Sequence, residues 1–149
     1  MTVPRRVGIC HTFIVIFALA TGAAPGPAQA TEGAALTITL NVAAAIDAGG
    51  CRLSFVIRND LGADIESLVA EAVLFDGEGR VATMTLFDFG TLPEGRPRVR
   101  QFDLAGRGCD GIGGILVNGI GTCEGDGLTP AACLTGLRLS SETAIEVTG

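Results

Sequence analysis

The chain has no tryptophan, no tyrosine and no lysine, and its single histidine, His11, lies near the N-terminus. Each absence removes a chemistry. Beyond residue 11 no imidazole can act as a general base, complete a Ser-His or Cys-His pair, or ligate zinc. Without lysine there is no Schiff base and no Ser-Lys dyad. All ten basic side chains are therefore arginines, set against 16 acids, for a net charge of −6 at pH 7. Long apolar runs are scarce too. The longest mostly apolar stretch, residues 7–20 (VGICHTFIVIFALA), falls short of the roughly 20 residues a helix needs to span a bilayer.

That stretch follows Arg5 and Arg6 and leads to Ala28 and Ala30, a small-x-small pattern that a signal peptidase accepts. A cleaved signal peptide is expected over residues 1–30, a single domain over residues 31–149, and no stable membrane anchor after cleavage. Pro4 and Gly8 depart from a twin-arginine signal, and Ile9 in front of Cys10 departs from a lipoprotein signal. Removing the leader takes away two arginines and none of the acids, leaving eight cations against 16 anions. A chain of that sign repels phosphate, so no nucleic-acid partner is expected. The remaining length suits one hydrophobic core.

Residues 36–42 (LTITLNV) alternate apolar and polar, which places Leu36, Ile38, Leu40 and Val42 on one face of a strand. After the turn residues 47–50 (DAGG), residues 51–58 repeat the alternation with Cys51, Leu53, Phe55 and Ile57 inward. Residues 68–75 and 80–89 flank DGEG and read as a hairpin. The PEG turn at 93–95 leads to a strand at 98–104, and residues 115–117 run into Asn118-Gly119, which predicts a tight turn. Thr129 as N-cap, Pro130 in the first helical position and Gly136 as the stop predict one short helix. Residues 137–139 and 144–147 supply the last strands. The pattern predicts an all-β fold, an antiparallel immunoglobulin-like β-sandwich of about seven strands with one short helix near the C-terminus.

On the strand at 98–104, the pleat sets Arg98, Arg100, Phe102 and Leu104 on one face, with Phe102 and Leu104 marking it as the core side. The two arginines then lie where their stems cover apolar surface and their guanidinium groups reach the rim. If this strand runs antiparallel beside residues 51–58, Arg52 faces Asp103 as a cross-strand pair. The plain reading of the arginine-rich segment is a salt-bridged strand end. The sharper one is an anion site of Arg96, Arg98 and Arg100 for a carboxylate or phosphate.

Cys51, Cys109, Cys123 and Cys133 remain after cleavage, an even number in an exported chain, which predicts two disulfides. Of the three pairings open to them, the strand argument selects Cys51 with Cys109, because the start of one strand meets the end of the other. Cys123 then pairs with Cys133 across the short helix. No CxxC spacing occurs, so no metal or redox use is expected. The glycine-rich segments 111–114 and 119–121 match neither GxGxxG nor a P-loop and read as turns. The segments DGEG at 76–79 and EGDG at 124–127 lack the ligand spacing of an EF-hand. Two acids suited to glycoside hydrolysis need only meet in space, so sequence spacing does not locate such a pair.

The segments CRLSFVIRNDLGAD, LFDGEGRV, LPEGRPRVRQFDL, CDGIGGILVNG and LRLSSETAIEV together resemble the small exported bacterial proteins labelled "Tat pathway signal sequence domain protein", over residues 36–147. A looser similarity, through the hairpin, the PEG turn and the FDL strand, is to FxLYD-type and other immunoglobulin-like bacterial domains, which implies adhesion or assembly. Neither resemblance implies catalytic residues or a cofactor. The expected function is a non-enzymatic exported binding or accessory module of the cell envelope, periplasmic or secreted, with an envelope protein or an acidic ligand as partner. A carboxylate-based hydrolase and a structural envelope protein are the alternatives, and the oligomeric state is left open.

Overall fold

Alternating side chains carry most of the described residues into strands in the computed structural model, which describes residues 33–149 and, ahead of them, Thr2 alone. The expected leader, residues 1–30, lies outside the described residues apart from Thr2. In chain order the strands are β1 Ala35–Ile46, β2 Gly50–Asp60, β3 Ile65–Phe75, β4 Val81–Leu92, β5 Arg98–Leu104 and β6 Gly114–Glu124. The helix α1, Pro130–Gly136, precedes β7 Leu137–Ser141 and β8 Glu146–Thr148. Thr129 caps α1 by accepting a hydrogen bond from the Ala132 amide, with Pro130 in the first turn, and the helix ends at Gly136 as the sequence predicts.

The fold is all-β, with the strands in two four-stranded sheets ordered β5-β2-β1-β7 and β4-β3-β6-β8. Their inner faces supply one core. Leu36, Ile38, Leu40, Leu53, Phe55 and Ile57 come from the first sheet, and Leu68, Ala70, Leu74, Phe87, Phe89 and Ile115 from the second. Removing a side chain the size of Leu or Phe from water contributes about 1.5–3 kcal/mol, so this face-to-face burial is the main term holding the sheets together. The predicted inward set of β2, Cys51, Leu53, Phe55 and Ile57, is buried throughout.

The structure corrects four expectations. The sheets are mixed, because β7 runs parallel to β1 and β8 parallel to β6. The reason is connectivity: α1 carries the chain from the second sheet to the far side of β1, so β7 enters in the same direction as β1. Val42 lies outside the core, 45% exposed. The β1–β2 register slips between Leu40↔Phe55 and Val42↔Ser54, leaving Asn41 as an extra residue. A bulge of one residue moves every later side chain to the opposite face. Finally, Asn118-Gly119 makes no turn. β6 continues through it to Glu124, with Asn118 as the extra residue between Gly119↔Glu71 and Val117↔Ala72. The same strand absorbs residues 119–121, which the sequence alone assigns to a turn.

Candidate functional site: the β4–β5 edge

β2 and β5 pair antiparallel with Arg52 opposite Asp103 and Phe102 opposite Leu53. The outer face of β5 is therefore the one carrying Val99, Gln101 and Asp103. Asp103 accepts two hydrogen bonds from Arg52, each at 2.6 Å, and Gln101 donates to the Ser54 hydroxyl at 2.9 Å. The inner row is Arg98, Arg100, Phe102 and Leu104. Phe102 packs with Phe55, Phe87 and Phe89 in a four-ring cluster whose centroids lie 4.7–6.2 Å apart. Offset and edge-to-face contacts of this kind add about 0.5–1.5 kcal/mol per pair beyond area burial. The cluster joins β2 and β5 of the first sheet to β4 of the second.

Arg100 is seated over the rim of that cluster. Its Nε donates to the Phe89 carbonyl at 2.7 Å, Nη2 to the Thr91 carbonyl at 3.0 Å, and Nη1 to the Val99 carbonyl at 3.1 Å. Arg98 donates to the carbonyl of its neighbour Pro97, and Arg96 is exposed in the turn before β5. Of the three arginines considered for anion binding, Arg100 is the one held to another strand among the described residues. Its guanidinium serves as a clamp on the backbone of β4. Gly90, between the two clamped carbonyls, has φ +62, a left-handed conformation that side-chain-bearing residues rarely adopt.

A second set of polar groups locks the adjoining turns. Asn59, fully buried, donates through Nδ2 to the carbonyls of Leu92 and Ala63, and its Oδ1 accepts from the Leu61 amide. Asp64 accepts from the Glu94 amide at 2.7 Å, and Glu94 accepts from the Gly62 amide at 3.0 Å. Asp64 and Glu94 thus hold the β2–β3 turn against the β4–β5 turn. Asp60 pairs with Arg58 at 2.7 Å.

β4 itself is an edge strand: β3 pairs with it on one side, and among the described residues no strand of its sheet flanks the other. Val81, Met84 and Leu86 on this strand are 64%, 66% and 64% exposed. In register, Met84 faces Val73 of β3, which faces Leu116 of β6 in turn, and Val81 faces Phe75. Val73 is buried even though it lies on the outer side of the sheet, covered by these neighbours. The outcome is an apolar stripe that crosses the sheet and ends at an open edge. Sequence reasoning missed it. Alternation in residues 80–89 marks a strand, but whether that strand has a neighbour depends on residues far along the chain.

The other motifs resolve locally. The disulfides are Cys51–Cys109 and Cys123–Cys133, the pairing the strand argument selects, so none of these thiols can ligate a metal. Asp76 in DGEG is committed to its own hairpin, accepting from the amides of Glu78 and Arg80 and from the Arg80 guanidinium. Those hydrogen bonds, the Arg80 amide first, hold its carboxyl below the ordinary carboxylate range. Among the described residues no group of three or more His, Cys, Asp or Glu is placed to hold a metal ion. The shallow depression that reaches Asp76 and Glu146 is lined otherwise by Phe75, Ile115, Thr148 and glycines. No protein-family model, no curated protein and no solved structure matches the chain.

Proposed function

We propose that the protein is an exported, non-enzymatic binding module of the cell envelope, an immunoglobulin-like β-sandwich freed by removal of residues 1–30 and working in the periplasm or outside the cell. The observation that carries this reading is the open edge of β4, where three large apolar side chains remain exposed beside unpaired backbone groups. A long apolar edge is an aggregation liability that proteins usually blunt with charge, proline or a covering loop. An edge left open is a docking feature for an added strand. Two disulfides fit an oxidising, extracytoplasmic compartment. Among the described residues no helix is long and apolar enough to cross a membrane. The resemblance to exported bacterial domains used in adhesion or assembly points the same way.

The test is in-cell photo-cross-linking from a reactive side chain placed at Leu86, with one at Asp126, on an exposed loop, as the control. Efficient capture from position 86 and none from 126 is the expected result. Equal capture from both, or none from either, would refute a binding role for this edge.

A further inference from the structure

The β4 edge does not stay open along its whole length. Arg100 takes the Phe89 and Thr91 carbonyls, so the edge is closed from Phe89 onward by a side chain of the same molecule. At the other end β4 begins at Val81, one residue, Arg80, after the DGEG hairpin turn. The open segment therefore runs from Val81 to Asp88. It contains no proline, no basic residue and one charge, Asp88. Clamping half of an edge while leaving the apolar half bare is a selective arrangement, and the bare half has the properties of a strand that pairs with its own kind.

We infer that residues 81–88 form a self-association edge, on which a second copy of this chain adds its own β4 antiparallel about a two-fold axis through Thr85. This deepens the binding-module reading and rests on it. The occupant follows from register. With the axis at Thr85, Met84 lies beside Leu86 of the second copy and Leu86 beside Met84, so the outward apolar rows of both copies join directly. Cross-strand apolar pairs of this kind stabilise a sheet. Asp88 lies opposite Ala82 of the second copy, the extra residue of a bulge between Thr83↔Leu74 and Val81↔Phe75, so the strand's one charge does not meet its own image and regular pairing is confined to residues 83–87. Moving the axis to Leu86 would place Asp88 beside Met84 and pull Phe89, already clamped, further into the pairing. The Thr85 axis is thus the one at which pairing ends where the Arg100 clamp starts. A two-fold contact of this type closes after one addition and makes a dimer, not a fibre.

The paired length is short, so the interface belongs to the small, reversible class, with dissociation expected at about micromolar concentrations. Sedimentation velocity on the mature, oxidised protein across about 1–100 µM should show a concentration-dependent monomer–dimer exchange. The double variant Met84→Glu, Leu86→Glu changes two exposed side chains and places four carboxylates together in the dimer. It should keep the circular-dichroism spectrum and both disulfides while weakening association at least about tenfold. Photo-cross-links from position 86 should join two copies through the tryptic peptide that begins at Val81. A native protein that stays monomeric across the range overturns the inference, as does a dimer indifferent to the double substitution or cross-links that map to another strand. If position 86 captures a different envelope protein while the chain remains monomeric, the second copy is the wrong occupant and the binding reading stands. If it captures nothing at all, both fail.

Discussion

Arg100 Nε lies 2.7 Å from the Phe89 carbonyl, and Nη2 of the same guanidinium lies 3.0 Å from the Thr91 carbonyl. One side chain from β5 in the first sheet thus satisfies two backbone acceptors on β4, the edge of the second. The bonds tie the sheets together at the end of the phenylalanine cluster and remove part of β4 from the open edge. An arginine suits the role because its planar fork reaches two acceptors and its stem covers apolar surface on the way.

Replacing Arg100 with methionine keeps the stem and deletes the fork. We expect a loss of about 1–3 kcal/mol in urea unfolding, since charge-assisted hydrogen bonds are removed and two carbonyls lose their donor. The variant should also associate with itself more strongly than the parent, because its open edge is longer. Arg100→Lys should recover only part of the stability, as a single ammonium does not reproduce the fork.

The two disulfides should differ in worth. Cys51–Cys109 spans 58 residues and Cys123–Cys133 spans 10. Chain entropy then assigns about 4 kcal/mol to the first and about 3 kcal/mol to the second. Paired Cys→Ala variants, each measured by equilibrium denaturation, should rank in that order. Peptide mapping without reduction should recover the same two linkages.

Asp103 makes acid stability sensitive to Arg52. The hydrogen bonds from Arg52 hold the Asp103 carboxyl below its ordinary range, outweighing the partial desolvation that works the other way, and Coulombic attraction adds to them. A depressed folded-state pKa contributes stability that is complete above the unfolded value of about 3.9 and is lost as the pH falls through the folded value. Arg52→Gln should therefore cost little stability below that window and show its full cost above it, and added salt should shrink the difference. Carboxyl titration by NMR should show Asp103 moving upward in Arg52→Gln while Asp76, held by Arg80, stays where it is.

Ala48 occupies the turn between β1 and β2 with φ 60, followed by Gly49 at φ 73. A left-handed conformation costs a residue with a Cβ about 1–2 kcal/mol, and asparagine tolerates it better. Ala48→Asn should raise stability by about 0.5–1 kcal/mol in the same denaturation assay. No change, or a loss, would mean the turn gains nothing from relief at that residue.

Much of this molecule is written in local pattern. Period-two alternation in CRLSFVIR is enough to place Cys51, Leu53, Phe55 and Ile57 inside, because a pleated strand with one buried face admits no other register. The same logic set Arg52 opposite Asp103 and, through that pairing, Cys51 near Cys109. The signals around Thr129, Pro130 and Gly136 located α1 because helix ends are satisfied by nearby groups. What local pattern does not contain is the point at which a strand slips or the neighbour it acquires. Asn41 and Asn118 became bulges, carrying Val42 outward and running β6 through an apparent turn, because hydrogen bonding to β2 and β3 outweighed the preference of the local residues. The parallel entry of β7 and β8, the capture of β4 carbonyls by Arg100, and the exposure of Met84 and Leu86 on an open edge depend on which strand lies beside which. Alternation is a property of adjacent residues, whereas adjacency in a sheet is settled by competition among distant segments for the same backbone groups. The strands and their faces are therefore sequence properties, and the edge available to a partner is a product of the assembled fold.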